Sequence, residues 1–173
     1  MPEAFSPDSL SADKADRYRE LMAEVRSVLD GESNRVARMA TVASMLAAAF
    51  DRFFWTGFYV VDQEKPAELV VGPYQGTLGC LRIAFGRGVC GAVAQSGQSL
   101  IVEDVETFPG HIACDSRSRS EIVIPVHDPA GALIAVLDVD SDRLAAFDAI
   151  DREGLEAIVA WAFATDPSAS TLS

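Results

Sequence analysis

In the first fifty residues, apolar positions recur at intervals of three and four, a spacing that predicts two amphipathic helices. Ser11 suits the N-cap of the first. Its apolar stripe is Tyr18, Leu21, Met22, Val25, Val28 and Leu29, and Asp30-Gly31 ends it. The second begins near Ser33 and carries Val36, Met39, Ala40, Ala43, Leu46, Ala47 and Phe50. From Phe53 the pattern changes. Residues 53–61 are rich in aromatic and β-branched side chains, which predicts a strand. A polar turn from Asp62 to Pro66 and the apolar run 68–72 complete a hairpin. Residues 81–83 predict a short strand that Ala84-Phe85 can extend. Gly86-Arg87-Gly88 forms a turn, and Val89 to Gln95 form a short helix stopped by Ser96-Gly97. A strand at 100–102 precedes a long irregular stretch, 103–120. Residues 122–126 and 132–139 are strongly apolar and predict two strands joined at Asp128-Pro129-Ala130-Gly131. Asp148 caps a last helix, with Leu155, Ile158, Val159 and Ala162 as its buried stripe.

This order predicts an α+β domain, an antiparallel sheet with helices packed largely on one face. The expected organisation is one domain over residues 11–165, preceded by a loose arm (1–10) and followed by a flexible tail (166–173). The stretch 103–120 exceeds ordinary connection lengths, and such loops are often functional.

A chain of 173 residues, 49% of them hydrophobic, can bury a full core without disulfide staples. Its formal net charge of −12 argues against nucleic acid, because phosphate contacts need clustered Lys and Arg. No run reaches about 18 uncharged apolar residues, which argues against a membrane span. No basic-then-apolar leader opens the sequence, so the expected location is the cytoplasm. Three cysteines, an odd number, argue against a secreted disulfide framework. With two histidines, His111 and His127, and no CxxC or HxxxH spacing, no metal site is expected.

The candidate chemistry lies in residues 79–125, which hold Cys80, Cys90 and Cys114. A cysteine attacks as a thiolate. Cys90 falls near the start of the short helix, where backbone N–H groups favour an anion, either a thiolate or a bound carboxylate. Cys114 lies in the long loop and Cys80 at the entry to a strand. The bland alternative is that all three are small buried hydrophobes. On the strand that ends near residue 140, alternation puts Ile134, Val136, Asp138 and Asp140 on one face. Two neighbouring carboxylates repel, and burial would raise at least one pKa, leaving a proton donor near neutral pH. A solvated strand end is the alternative. Glu121 joins this cluster if its strand pairs with that of Asp138. Trp55 and Tyr59, four apart on a strand, share a face and can wall a pocket or simply fill a core. His111 is expected to fix the loop by hydrogen bonding rather than to act as a base.

At these positions the chain resembles a known family. Trp55-Thr56-Gly57-Phe58-Tyr59, Gly72-Pro73-Tyr74-Gln75-Gly76 and Cys80-Leu81-Arg82-Ile83 are similar to segments of the free methionine-(R)-sulfoxide reductases. So are Phe85-Gly86-Arg87-Gly88-Val89-Cys90-Gly91 and Phe108-Pro109-Gly110-His111-Ile112-Ala113-Cys114-Asp115. Ser120-Glu121-Ile122-Val123-Ile124-Pro125 and Val136-Leu137-Asp138-Val139-Asp140-Ser141 complete the set. The likeness covers roughly residues 12–162. It departs at Thr77-Leu78-Gly79, where a Pro-Ala-like stretch would be expected. The resemblance implies a GAF fold, reduction of free methionine (R)-sulfoxide, no bound cofactor, and thioredoxin as the external reductant. It implies Cys114 as nucleophile and Cys80 as its resolving partner, with Cys90 as an alternative nucleophile, an alternative resolver or a pocket wall. Glu121, Asp138 and Asp140 would hold the sulfoxide oxygen and the substrate ammonium, and Trp55 and Tyr59 would pack the methyl-thioether end. A ligand-sensing GAF module and a cysteine redox switch without turnover are the rival readings. The sequence leaves a homodimer open.

Overall fold

The computed structural model describes residues 5–112 and 114–164. Two helices come first, α1 (Lys14–Val28) and α2 (Arg35–Ala49). The cap of α1 is Asp13, not Ser11: its carboxylate accepts from the Asp16 N–H at 3.0 Å. Ser11 is engaged elsewhere, its own N–H donating to Glu20 Oε2 at 2.6 Å. Asn34 caps α2, accepting from the Ala37 N–H at 3.0 Å.

The stripe of α2 is rotated from the one its apolar residues predict. Val36 is 64% exposed and Ala40 also faces outward, while Arg38 is buried beside Met39, Val42, Met45 and Leu46. The Arg38 guanidinium donates to the carbonyls of Ala162 at 2.5 Å, Leu29 at 3.4 Å and Glu32. It thereby satisfies carbonyls left open at the C-terminal ends of two helices, where a cation is favoured. A count of apolar residues alone cannot see a buried arginine of this kind.

The strands are β1 (Trp55–Val61), β2 (Glu68–Gln75), β3 (Arg82–Ala84), β4 (Leu100–Val102), β5 (Ser120–His127) and β6 (Leu133–Ser141), with α3 (Gly88–Ser96) between β3 and β4 and α4 (Ala149–Ala162) last. They form one antiparallel sheet in the order β3-β2-β1-β6-β5-β4. One face, with Phe58, Ile122, Ile124, Leu137 and Val139, packs on α1, α2 and α4. The other, with Trp55, Tyr59, Leu69, Val123 and Val136, packs on α3 and the long loops. Three helices therefore share one face as expected, and the small fourth covers part of the other.

Asp151 ties the helical layer together. Fully buried, it accepts from the Tyr18 hydroxyl at 2.9 Å, Lys14 Nζ at 2.9 Å, Arg52 and the Asp148 N–H. Within the expected N-terminal arm, Pro7–Ser9 make a 3-10 turn and Leu10 is buried. Arg17 donates to the carbonyls of Pro7, Leu10 and Ser11, so the end of that segment is held to α1. Residues 1–4 and the tail at 166–173 lie outside the described residues.

β1 and β2 approach closely at Gly57. A Cβ there would sit 2.2 Å from Tyr74 Cβ and 2.9 Å from the Trp55 ring. The missing side chain lets Trp55 lie flat against Tyr74, with centroids 5.1 Å apart. Gly57→Ala should cost about 1–3 kcal/mol, the usual penalty of overpacking. Urea unfolding checks this, and an unchanged midpoint would show that β2 gives way freely.

Candidate active site

Antiparallel register builds the polar end of the site. Glu121 lies opposite Asp140 and Val123 opposite Asp138 across the β5–β6 pair. Because side chains alternate, Glu121, Asp138 and Asp140 all project to the α3 side of the sheet, as the strand pattern predicts. α3 lays Cys90 over them, with Sγ 3.8 Å from Glu121 Oε1. The Cys90 sulfur and a carboxyl oxygen from each of Glu121 and Asp138 all lie within 4.8 Å of one another. Cys90, Glu121 and Asp138 are each buried.

Among the described residues, none of the three carboxyls forms an ion pair. Burial therefore pushes Glu121 well above the usual carboxyl range, and the neighbouring Asp138 and Asp140 push it further. Burial, then Asp140, do the same to Asp138. Asp140 is raised by burial to about 6, although the Ser118 hydroxyl hydrogen-bonded to it works the other way. Asp138 Oδ1 is buried and finds no hydrogen-bond partner among the described residues.

The expectation of a thiolate-favouring helix start fails at Cys90. Its thiol is pushed well up by burial, then by Asp138 and Glu121, and the start of α3 does not offset them. Cys90 is a buried protonated thiol that donates to a carboxyl. Ligand spacing in the sequence points to no metal site. The structure nonetheless gathers Cys90, Glu121 and Asp138 from α3, β5 and β6, which a search along the chain cannot see.

Aromatic rings form the adjoining wall. Trp55 stacks on Tyr59 with centroids 5.7 Å apart, and both are buried. Burial, then Asp138, hold the Tyr59 phenol far above its usual pKa, so it stays neutral. Gly79 passes directly over these rings. A Cβ on it would stand 2.9 Å from Tyr59 Oη and 3.1 Å from the indole. The cavity so enclosed measures about 40 Å³, and Phe54, Leu78, Ile112, Arg87 and His111 are among the other residues that line it. His111 is half-buried, and burial lowers its pKa.

Cys80 and Cys114 are joined by a disulfide at the mouth, their Cα atoms 5.3 Å apart and 34 positions apart in sequence. Cys114 is exposed and lines the cavity; Cys80 is half-buried. The arrangement pairs an accessible sulfur couple with a floor of carboxyls whose pKa values burial raises. That combination can take an oxygen from a small molecule while supplying a proton. Sequence reasoning missed Ser118, Thr77 and Asp115. Ser118 donates to Asp140, and Thr77 Oγ1 donates to Asp115 Oδ2 at 2.6 Å. No spacing rule marks them, because both contacts join segments brought together by the fold.

The model of the GAF domain family matches residues 13–163. GAF domain-containing protein A of Dictyostelium discoideum is 50% identical over 146 residues, 84% of this chain and 90% of that protein. The free methionine-R-sulfoxide reductase of Escherichia coli is 38% identical over 147 residues, covering 85% of this chain and 87% of its own length. The crystal structure of free methionine-R-sulfoxide reductase from Neisseria meningitidis with its substrate superposes with a TM-score of 0.86 at 44% identity, over 98% of each chain. The chain belongs to the GAF-domain free methionine-R-sulfoxide reductases. The α+β fold expected from the sequence is thus the GAF fold, and the family is one of oxidoreductases.

Raised carboxyls carry a stability signature. The folded state holds protons that the unfolded chain releases near pH 4, so stability falls as pH rises from about 4 through the folded pKa values. Asp138→Asn removes one of these groups. It should be more stable than the parent at alkaline pH, on the order of 1–3 kcal/mol, and match it more closely at acid pH. Denaturant melts across pH check this; parallel pH profiles would contradict it.

Proposed function

We propose that this protein reduces free L-methionine (R)-sulfoxide to L-methionine. The observation that carries the reading is a disulfide-capable pair, Cys80 and Cys114, at the mouth of a cavity floored by Glu121, Asp138 and Asp140. The substrate of the N. meningitidis relative supports it. In the reduced protein, the Cys114 thiolate attacks the sulfoxide sulfur. A carboxyl of the cluster gives its proton to the sulfoxide oxygen. The substrate S–O bond breaks, the oxygen passes to Cys114 as a sulfenic acid, and methionine leaves. The proton lost when Cys114 ionised restores the carboxyl. Cys80 then displaces the sulfenic oxygen as water and the disulfide closes.

An ionised member of the cluster pairs with the substrate ammonium, which supplies the cation that Asp138 Oδ1 lacks. A backbone methionine has no such ammonium, which supports a free amino acid as substrate. Trp55 and Tyr59 hold the methyl-thioether, whose sulfur is favourable against aromatic faces. Cys90 serves as pocket wall and hydrogen-bond donor to Glu121. The thiol itself is the reductant, so no organic cofactor or metal enters. Thioredoxin, with NADPH behind it, reopens the disulfide by thiol exchange, and the cytoplasm is the compartment that sustains that supply.

NADPH oxidation with thioredoxin and thioredoxin reductase should depend on the R epimer of free methionine sulfoxide. Cys114→Ser should bring it to background. Substantial turnover by that variant would remove Cys114 as nucleophile. A disulfide that forms with no steady-state NADPH consumption would instead favour a redox switch.

A further inference from the structure

The two cysteines sit on separate irregular segments: Cys80 between β2 and β3, and Cys114 in the stretch between β4 and β5. A disulfide closes only when its Cα atoms come within about 7 Å. Some contact other than the bond itself must keep the segments together while the pair is reduced. The Cys80 segment is pinned to the aromatic wall. Trp55 Nε1 donates to the Thr77 carbonyl at 2.9 Å, and Gly79 lies close against Tyr59 Oη and the indole. Around Cys114, Arg117 grips Asp115 with Nη2 at 2.8 Å and Nε at 3.1 Å and lies 5.4 Å over the Phe54 ring. One side-chain hydrogen bond joins the two segments among the described residues: Thr77 Oγ1 to Asp115 Oδ2 at 2.6 Å, next to Cys114. The acceptor is a carboxylate held well below its usual pKa by Arg117 and Thr77, so the bond is charge-assisted.

We propose that Thr77 is a positioning residue for the closing step: its hydroxyl, through Asp115, holds the Cys114 segment against Cys80 while both sulfurs are unlinked. The step it serves follows from the function proposed above. The Cys80 thiolate attacks the Cys114 sulfenic sulfur; the S–S bond forms as the S–O bond breaks. The oxygen leaves as water, carrying the proton that Cys80 gave up. No external oxidant enters, because the sulfenic acid already carries the two oxidising equivalents.

Thr77→Val removes the hydroxyl and keeps the backbone carbonyl that Trp55 binds. Mixed once with methionine sulfoxide, the reduced variant should release one equivalent of methionine at the parental rate. Closure should be about tenfold slower, the loss expected of one charge-assisted hydrogen bond, with sulfenic acid trapped by dimedone in the interval. Thr77→Ser should restore closure. In a glutathione redox buffer the valine variant's disulfide should be about tenfold easier to reduce, about 30 mV higher in potential. Parental closure and potential in the valine variant would overturn the clasp, and so would a methionine burst that slows in step or a serine variant that fails to rescue. If the parent protein released no methionine at all, the reductase reading would fall, while the glutathione titration would still decide the clasp.

Discussion

Two carboxyl groups, Glu121 and Asp138, and the Cys90 thiol share a buried corner of the sheet, with half-buried Asp140 beside them and no cation paired to them among the described residues. Ionised together, they would repel strongly in a medium where charge is poorly screened. The molecule resolves the conflict by holding protons, which turns an electrostatic liability into a supply of acid next to an exposed cysteine. Carboxyls that keep their protons and have no ion-pair partner among the described residues suit a ligand that brings a cationic group and takes a proton. The same burial, with Asp138 and Glu121 beside it, pushes the Cys90 thiol well up, away from the thiolate form.

The rest of the fold serves that corner. The β5–β6 register places Glu121 opposite Asp140, and a slip of β5 by one residue would turn Glu121 into the helical layer and break up the cluster. Arg38 and Asp151 lock α1, α2 and α4 against the far face, so the sheet is rigid behind the site. Glycines at 57 and 79 let the aromatic wall and the Cys80 segment come close. The floor of the site is built from paired strands and its mouth from two irregular segments, which carry Cys80 and Cys114.

Much of this was legible along the chain. Alternation on the last strand placed Asp138 and Asp140 on one face, and spacing placed Trp55 beside Tyr59, because a strand has a fixed period of two. Helix faces were less legible where polar residues took part. Val36 looked like core and Arg38 did not, yet Arg38 is buried because helix ends supply it with carbonyls. Of the two readings open for Cys90, a helix-start anion and a small buried hydrophobe, its burial fits the second. Local sequence shows the start of a helix but not the two carboxyls that strands further along bring beneath it. The links from Thr77 to Asp115 and from Ser118 to Asp140 were invisible for the same reason, since each depends on packing between distant segments.

The chemistry of the site turns on Glu121 and Asp138 being protonated at neutral pH in the ligand-free protein. Infrared difference spectroscopy of the carboxyl C=O stretch, comparing the parent with Asp138→Asn and Glu121→Gln, tests it directly. The account predicts a protonated-carboxyl band at neutral pH that weakens in each variant and disappears as pH rises. A spectrum showing only ionised carboxylates at neutral pH would contradict it.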